Sequence, residues 1–441
     1  MEKKSMVEKK DNVAKENRGD AGSTHRHSTN SHKSKRKNRK KRGARGFKIV
    51  LSKALLKNIA IIVLTVALLG VSLLLLLRLD EERMYGGLEL PEIPEYEGKF
   101  VIVPKVYDSP VSLIHQTVRD SISADDFISE FERAKKSEEL YDSHAAVVLT
   151  PGLYNMPFGS VDLKYRVEIS ERYDLSDART YYFGINEEIA IGHLKTGCKY
   201  YYKVSLEQTD YSFSGSFVTA DTPRLLGIDG VSNVRDIGGL KTADGKRIRQ
   251  GLIYRGSELD GVVSSADKLT EAGKKLMLET LGVKYDMDLR SESVNPTGIK
   301  ALGEGVARKY YNAPSYKDVF TAEGKARVKA IFRDLANINN YPLYVHGTKG
   351  IDRTGTICFL IEAMLGVSDE ELRLDYELSV VSDGKIDENQ FNAMVSALDA
   401  YAGRTTSERV VSYLLDCGVS EAEISAIKNI LLVDEGSYNA E

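Results

Sequence analysis

The sequence predicts an α/β domain over residues 223–435, preceded by a β-sandwich over 98–222 and by one transmembrane helix over 58–78. Three observations carry this reading. Residues 59–77 run for 19 positions without a charged side chain. Between about 160 and 220, short stretches alternate apolar and polar residues and are separated by turn formers. After Pro223 the pattern changes to strands alternating with helices, the mark of an α/β sheet.

The apolar run, IAIIVLTVALLGVSLLLLL, would extend roughly 28 Å as a helix, close to the ~30 Å of a hydrocarbon core. Its two flanks differ in charge. Residues 1–57 hold 19 Lys/Arg against 5 Asp/Glu, a net +14, and the remaining 384 residues net −17, so the overall −3 conceals a divided chain. The positive-inside rule then places the N-terminus in the cytoplasm and residues from about 79 onward outside a cell membrane crossed once. A cleaved signal peptide fits less well, because 58 residues precede the run and no small-x-small site follows it directly. Residues 1–57 read as a disordered basic tail and topology determinant, with anionic lipid headgroups as the alternative ligand. No aromatic residue precedes Phe47, so base stacking has no support and no nucleic-acid partner is expected. Residues 79–97, with two prolines, two glycines and many carboxylates, read as a stalk.

In the β module the clearest strands are VDLKYRVEIS (161–170), ARTYYFGI (178–185), KYYYKVSLEQ (199–208) and SFSGSFVTA (212–220). Residues 121–141 are more helical and have no obvious place among them. The stretch 194–204, LKTGCKYYYKV, resembles the "L-x-x-G-x-x-Y-x-Y-x-V" corner of fibronectin type III-like domains. That resemblance implies a corner role for Tyr200, its hydroxyl tied to nearby backbone, and a core position for Tyr202. The three cysteines, Cys198, Cys358 and Cys417, show neither CxxC nor Cys/His metal spacing. They read as buried free thiols, with a Cys358–Cys417 bridge open. No metal and no cofactor are expected.

In the α/β part, 269–281 and 320–336 read as helices, each followed by a strand, at 283–290 and 341–346. The rest is helical: 354–365, 369–379, 388–401, 407–417 and 421–432, the last opened by a Ser420 capping box. The strand at 341–346 leads into HGTKGIDRTG (346–355) and then a helix. Such a loop points successive N–H groups inward and adds the positive end of the helix dipole, which suits a tetrahedral dianion. Thr348, Lys349, Gly350, Ile351, Asp352 and Arg353 form the candidate phosphate cradle. Arg353 can grip two oxygens as a fork. Gly350 and Gly355 relieve the turn, and His346 and Thr354 support it.

This loop resembles the H-C-x5-R signature of protein tyrosine phosphatases, and in detail the bacterial tyrosine/serine phosphatases whose loop reads HCxxGxDRTG. Four further blocks are similar to that family: NVRDIGGL (233–240), GLIYRGS (251–257), DLRS (288–291) and the C-terminal helices with Glu377 in DYELS. The resemblance covers about residues 223–435 and implies loop-support roles for Asn233, Arg235 and Asp236. It also implies a cysteine nucleophile immediately after the histidine. Gly347 stands there and has no nucleophile. Loss of such a group reduces kcat by up to ~10⁶ in comparable covalent enzymes. Asp352 and Asp288 are the candidate general acids; the alternative for Asp288 is an ion pair with Arg290 or Arg235. The family often has Lys at the position of Ile351, whose absence weakens a phosphoinositide substrate; Lys349 is the cation available to compensate. The expected function is a membrane-anchored, extracytoplasmic pseudophosphatase that binds phosphorylated protein or another phosphate-bearing ligand. An active tyrosine/serine phosphomonoester hydrolase and a cell-surface scaffold are the alternatives.

Overall fold

The computed structural model describes residues 109–435, apart from 125, 136–145, 150–163, 185–186, 209–211, 296 and 383–384. The basic tail, the apolar run and the stalk lie outside the described residues. Among the described residues no helix is long and apolar enough to cross a membrane.

Two short helices come first, α1 (Gln116–Ile122) and α2 (Phe127–Lys135). Their apolar side chains Val118, Phe127 and Phe131 are buried with Ile114 against Leu225, Leu378 and Val380. The helical stretch that had no obvious place among the strands therefore packs on the α/β part of the chain.

Two antiparallel sheets follow. One pairs β1 (Val147–Leu149) with β4 (Ile189–Ile191). The other contains β2 (Lys164–Ser170), β3 (Arg179–Gly184), β5 (Lys199–Leu206) and β6 (Ser212–Val218) in the order β3-β2-β5-β6. Strand β5 alternates as its sequence demands, burying Tyr200, Tyr202, Val204 and Leu206. These side chains share one apolar cluster with Val147, Leu149, Ile189 and Ile191 from the other sheet. The hydroxyl of Tyr200 accepts a hydrogen bond from Lys195 N at 2.9 Å, closing the corner before β5. Tyr200→Phe is expected to lower stability by roughly 1–2 kcal/mol, since the amide loses its acceptor. An unchanged urea midpoint would refute this.

The corner also joins the sheets to the α/β part. Gln250 accepts from Thr196 N at 2.9 Å and donates to Thr196 O at 2.8 Å. Buried Arg224 donates to Leu194 O, His193 O and Asp236.

The α/β part is built on β7 (Arg224–Leu225), β8 (Arg235–Asp236), β10 (Ile253–Gly256), β11 (Tyr285–Asp288), β12 (Ala307–Tyr310) and β13 (Leu343–His346), in the order β12-β11-β13-β10-β8-β7. The first four in that order run parallel, and β8 and β7 are antiparallel additions. A short ribbon of β9 (Lys246–Ile248) and β14 (Leu432–Asp434) lies apart. Every residue of β10, β11 and β13 is buried, as expected for parallel strands covered on both faces. The helices are α3 (Glu271–Lys275), α4 (Ala322–Leu335), α5 (Asp352–Leu365), α6 (Asp369–Glu377), α7 (Glu388–Ala397), α8 (Thr406–Asp416) and α9 (Glu421–Leu431). Ser420 forms a complete capping box with Glu423 on α9. Residues 354–365 of α5 are all buried, so the helix following β13 is the central one. Cys198, Cys358 and Cys417 are all free and buried, so the Cys358–Cys417 bridge left open by the sequence is not formed.

Candidate active site

The sheet delivers the chain to the site at the carboxyl end of β13, where open α/β sheets place their ligands. His346 ends the strand, and α5 begins at Asp352. Between them the loop carbonyls are turned outward and held. Glu258 N donates to Thr348 O at 2.9 Å. The Asn233 side-chain amide donates to Lys349 O and Gly350 O, both at 3.2 Å. Arg255 donates to Gly350 O at 3.0 Å. Among the described residues, none of the amides of Thr348, Lys349, Gly350 and Ile351 donates to a protein acceptor. Gly350 has φ +70°, and a Cβ there would lie 2.5 Å from Gly256 O, so only glycine permits this turn.

Arg353 projects from the first turn of α5. It is exposed, and among the described residues it has neither an ion pair nor a hydrogen bond. Lys349 is exposed at the loop tip, whereas the Ile351 side chain is buried in the main core and contributes only backbone to the loop. Asp352 is exposed beside Arg353. Tyr316 donates to its Oδ1 at 2.6 Å and is hydrogen-bonded in turn to Tyr376 at 2.8 Å. Tyr316 has φ +50°, an uncommon conformation for a bulky residue, and its amide is held by Thr356 Oγ1 at 2.8 Å. This arrangement fixes the direction of Asp352.

Below the loop lies a buried ionic frame. Arg235 bonds Asp375 at 2.7 Å and Asn233 Oδ1 at 2.7 Å, and Arg255 pairs with the other Asp375 oxygen. One carboxylate thus aligns both groups that grip the loop carbonyls. Burial pushes the Asp375 pKa upward, but Arg235 and Arg255 outweigh it and hold the carboxyl below its usual range. Glu362, buried beside Asp375, is driven well above the carboxylate range by burial and then by the Asp375 charge.

A second ionic group sits under His346. Its Nε2 is 2.8 Å from Asp286 Oδ1. Burial draws the imidazole toward its neutral form, yet Asp288 and Asp286 outweigh burial and raise its pKa. Asp288 is fully buried and bonded to Arg290 and Arg308. Burial opposes its charge, but His346, Arg290 and Arg308 hold the carboxyl far below its ordinary range. Of the two expectations for Asp288, the ion pair with Arg290 is formed. Asp236 accepts from Gly238 N, Gly251 N and Arg224.

Sequence reading missed Asp375, Arg255 and Tyr316. Arg255 lies in GLIYRGS (251–257), where no local spacing marks its long-range partners. In DYELS attention fell on Glu377, which pairs with Arg373 at 2.6 Å. Asp375, two residues earlier and so on a different face of α6, is the residue that points to the loop frame.

A model of the tyrosine phosphatase family matches residues 226–433. A protein of Cupriavidus necator, provisionally named a tyrosine-protein phosphatase, is 28% identical over 226 residues, covering 45% of this chain and 77% of the relative. Two solved structures of the catalytic core of Siw14, the one from S. cerevisiae in complex with citrate being described as a PP-IP phosphatase, are each 14% identical. They cover 38% and 40% of this chain, and 86% and 96% of their own, with TM-scores of 0.26 and 0.23. The loop, its helix and its frame all fall within the residues 226–433 that match the tyrosine phosphatase family model.

Proposed function

We propose that this protein is a membrane-anchored pseudophosphatase that binds phosphorylated protein or another phosphate-bearing ligand outside the cell membrane. One observation carries the reading: among the described residues Arg353 and the amides of residues 348–351 lack protein partners, in the same loop where Gly347 supplies no nucleophile. Thr348 cannot take over, since a neutral hydroxyl needs a strong adjacent base to attack phosphorus. Cys358 cannot either, because it is buried in α5 and burial pushes its thiol up to about 12. A thiolate repels a phosphate dianion held nearby, so its replacement by glycine favours retention of the anion over turnover. Anchoring rests on the 19-residue apolar run and on the basic tail before it. The Tyr200 corner and the two antiparallel sheets support a fibronectin type III-like module between membrane and loop.

The test is calorimetry on the full chain in detergent, with inorganic phosphate and a phosphotyrosine peptide. The native chain is expected to bind both. Arg353→Ala should weaken binding about 30-fold or more, through loss of a charge-assisted fork. Absence of binding by a folded chain at millimolar ligand overturns the proposal. So does native hydrolysis of p-nitrophenyl phosphate at a rate equal to that of the Gly347→Cys form.

A further inference from the structure

Thr354 follows Arg353 on α5 and is fully buried. Its Oγ1 has no hydrogen-bond partner, which is rare for a buried hydroxyl. The group is not isolated by accident of packing, because it faces Gly347. A Cβ built on Gly347 would lie 3.3 Å from Thr354 Oγ1, and apart from its two chain neighbours the other described atom within 4 Å is Arg353 Cβ at 3.7 Å. The absent side chain thus opens a small space at the bottom of the loop, with a free hydroxyl on its wall.

We propose that Thr354 is a direct ligand of the bound anion, which seats one of its oxygens in the space beside Gly347, about one atom deeper than a cysteine there would allow. This rests on the phosphate-binding reading above and adds to it a binding residue and a depth. The chemistry of the surroundings selects the occupant. The loop amides, the Arg353 guanidinium and the Thr354 O–H are all donors, while the loop carbonyls are turned outward onto Asn233, Arg255 and Glu258 N. An oxygen that only accepts, and carries negative charge, satisfies every one of them. A phosphate, sulfate or phosphomonoester oxygen has that character. Glycine at 347 is then a gain for binding as well as a loss for catalysis.

Three substitutions test the proposal by phosphate calorimetry on the full chain in detergent. Thr354→Val keeps the shape and removes the hydroxyl, and should weaken phosphate about tenfold or more. Thr354→Ser keeps the hydroxyl and should bind within about twofold of native. Gly347→Ala places a methyl group in the seat and should weaken phosphate by itself; in that background Thr354→Val should add less than about twofold, because the two changes remove the same contact. Native binding with Thr354→Val within twofold of it overturns the proposal and leaves the phosphate-binding reading standing. Should Thr354→Val fail to fold, Gly347→Ala decides, and unchanged affinity there overturns it. A native chain that binds no phosphate overturns both.

Discussion

Gly347→Cys is expected to convert the protein into a hydrolase of p-nitrophenyl phosphate, raising kcat by at least ~10³ over the native chain and toward ~10⁶ if the rest of the site is intact. The backbone accepts the residue, since Gly347 is not among the glycines with positive φ. A Cβ there meets Thr354 Oγ1 at 3.3 Å, a contact that a small rotation of the threonine relieves. The same hydroxyl then lies within reach of the new sulfur. Thiolate formation is favoured by the undonated amides of the loop and by the N-terminus of α5. Arg353 is free to hold the phosphoryl oxygens, and Tyr316 holds Asp352 at the mouth, where a leaving phenolate needs its proton. Two second-site changes separate these roles. Adding Arg353→Ala should abolish most of the gain, while adding Asp352→Asn should lower turnover ~10²-fold or more and leave phosphate affinity nearly unchanged. A Cys form within tenfold of native turnover would show that Gly347 is not what limits the site.

How much of this site could be read from residues follows from which interactions are local. The loop from His346 to Gly355 is contiguous, so its cradle was legible as a string of glycines, donors and one arginine. Asn233 and Arg235 were legible because they sit in a compact block of the chain. Asp375 was not, because its partners Arg235 and Arg255 lie 140 and 120 residues away and no spacing rule links them. Tyr316 was hidden for a similar reason: its role depends on a left-handed backbone conformation in an irregular segment, where periodicity is silent. The surroundings of Asp288 were hidden for the same reason. Its neighbour Arg290 is local, but His346 and Arg308 reach it from two other segments. The helices α1 and α2 had no visible place because the apolar partners of Phe127 and Phe131 include Leu378 and Val380, on the far side of the sequence.

Asp375→Asn should be among the most damaging single changes in the domain, destabilising it by about 3–5 kcal/mol, since it leaves two buried guanidiniums without their counter-charge. Both are essentially inaccessible: Arg235 is 1% exposed and Arg255 0%. Water cannot replace the carboxylate, and an amide can accept from only one of them at full strength. Against a typical total of ~5–15 kcal/mol, this loss is a large fraction of what holds the domain folded. The native frame also has a pH signature whose sign is set by the depressed Asp375 pKa. A carboxylate held below its unfolded value, ~3.9, contributes its full stability above that pH and loses it as pH falls through the folded value. Stability should therefore decline in acid for the native chain, with a smaller share of the decline in Asp375→Asn, where that group no longer titrates. Urea unfolding at pH 7 and at pH 3–4 measures both quantities. A loss below about 1 kcal/mol at pH 7 would refute the frame as a stabilising element. The frame also predicts its own functional consequence. Arg255 and Asn233 hold the loop carbonyls outward only while Asp375 holds Arg255 and Arg235, so any Asp375→Asn protein that remains folded should bind phosphate more weakly than native with Arg353 still in place.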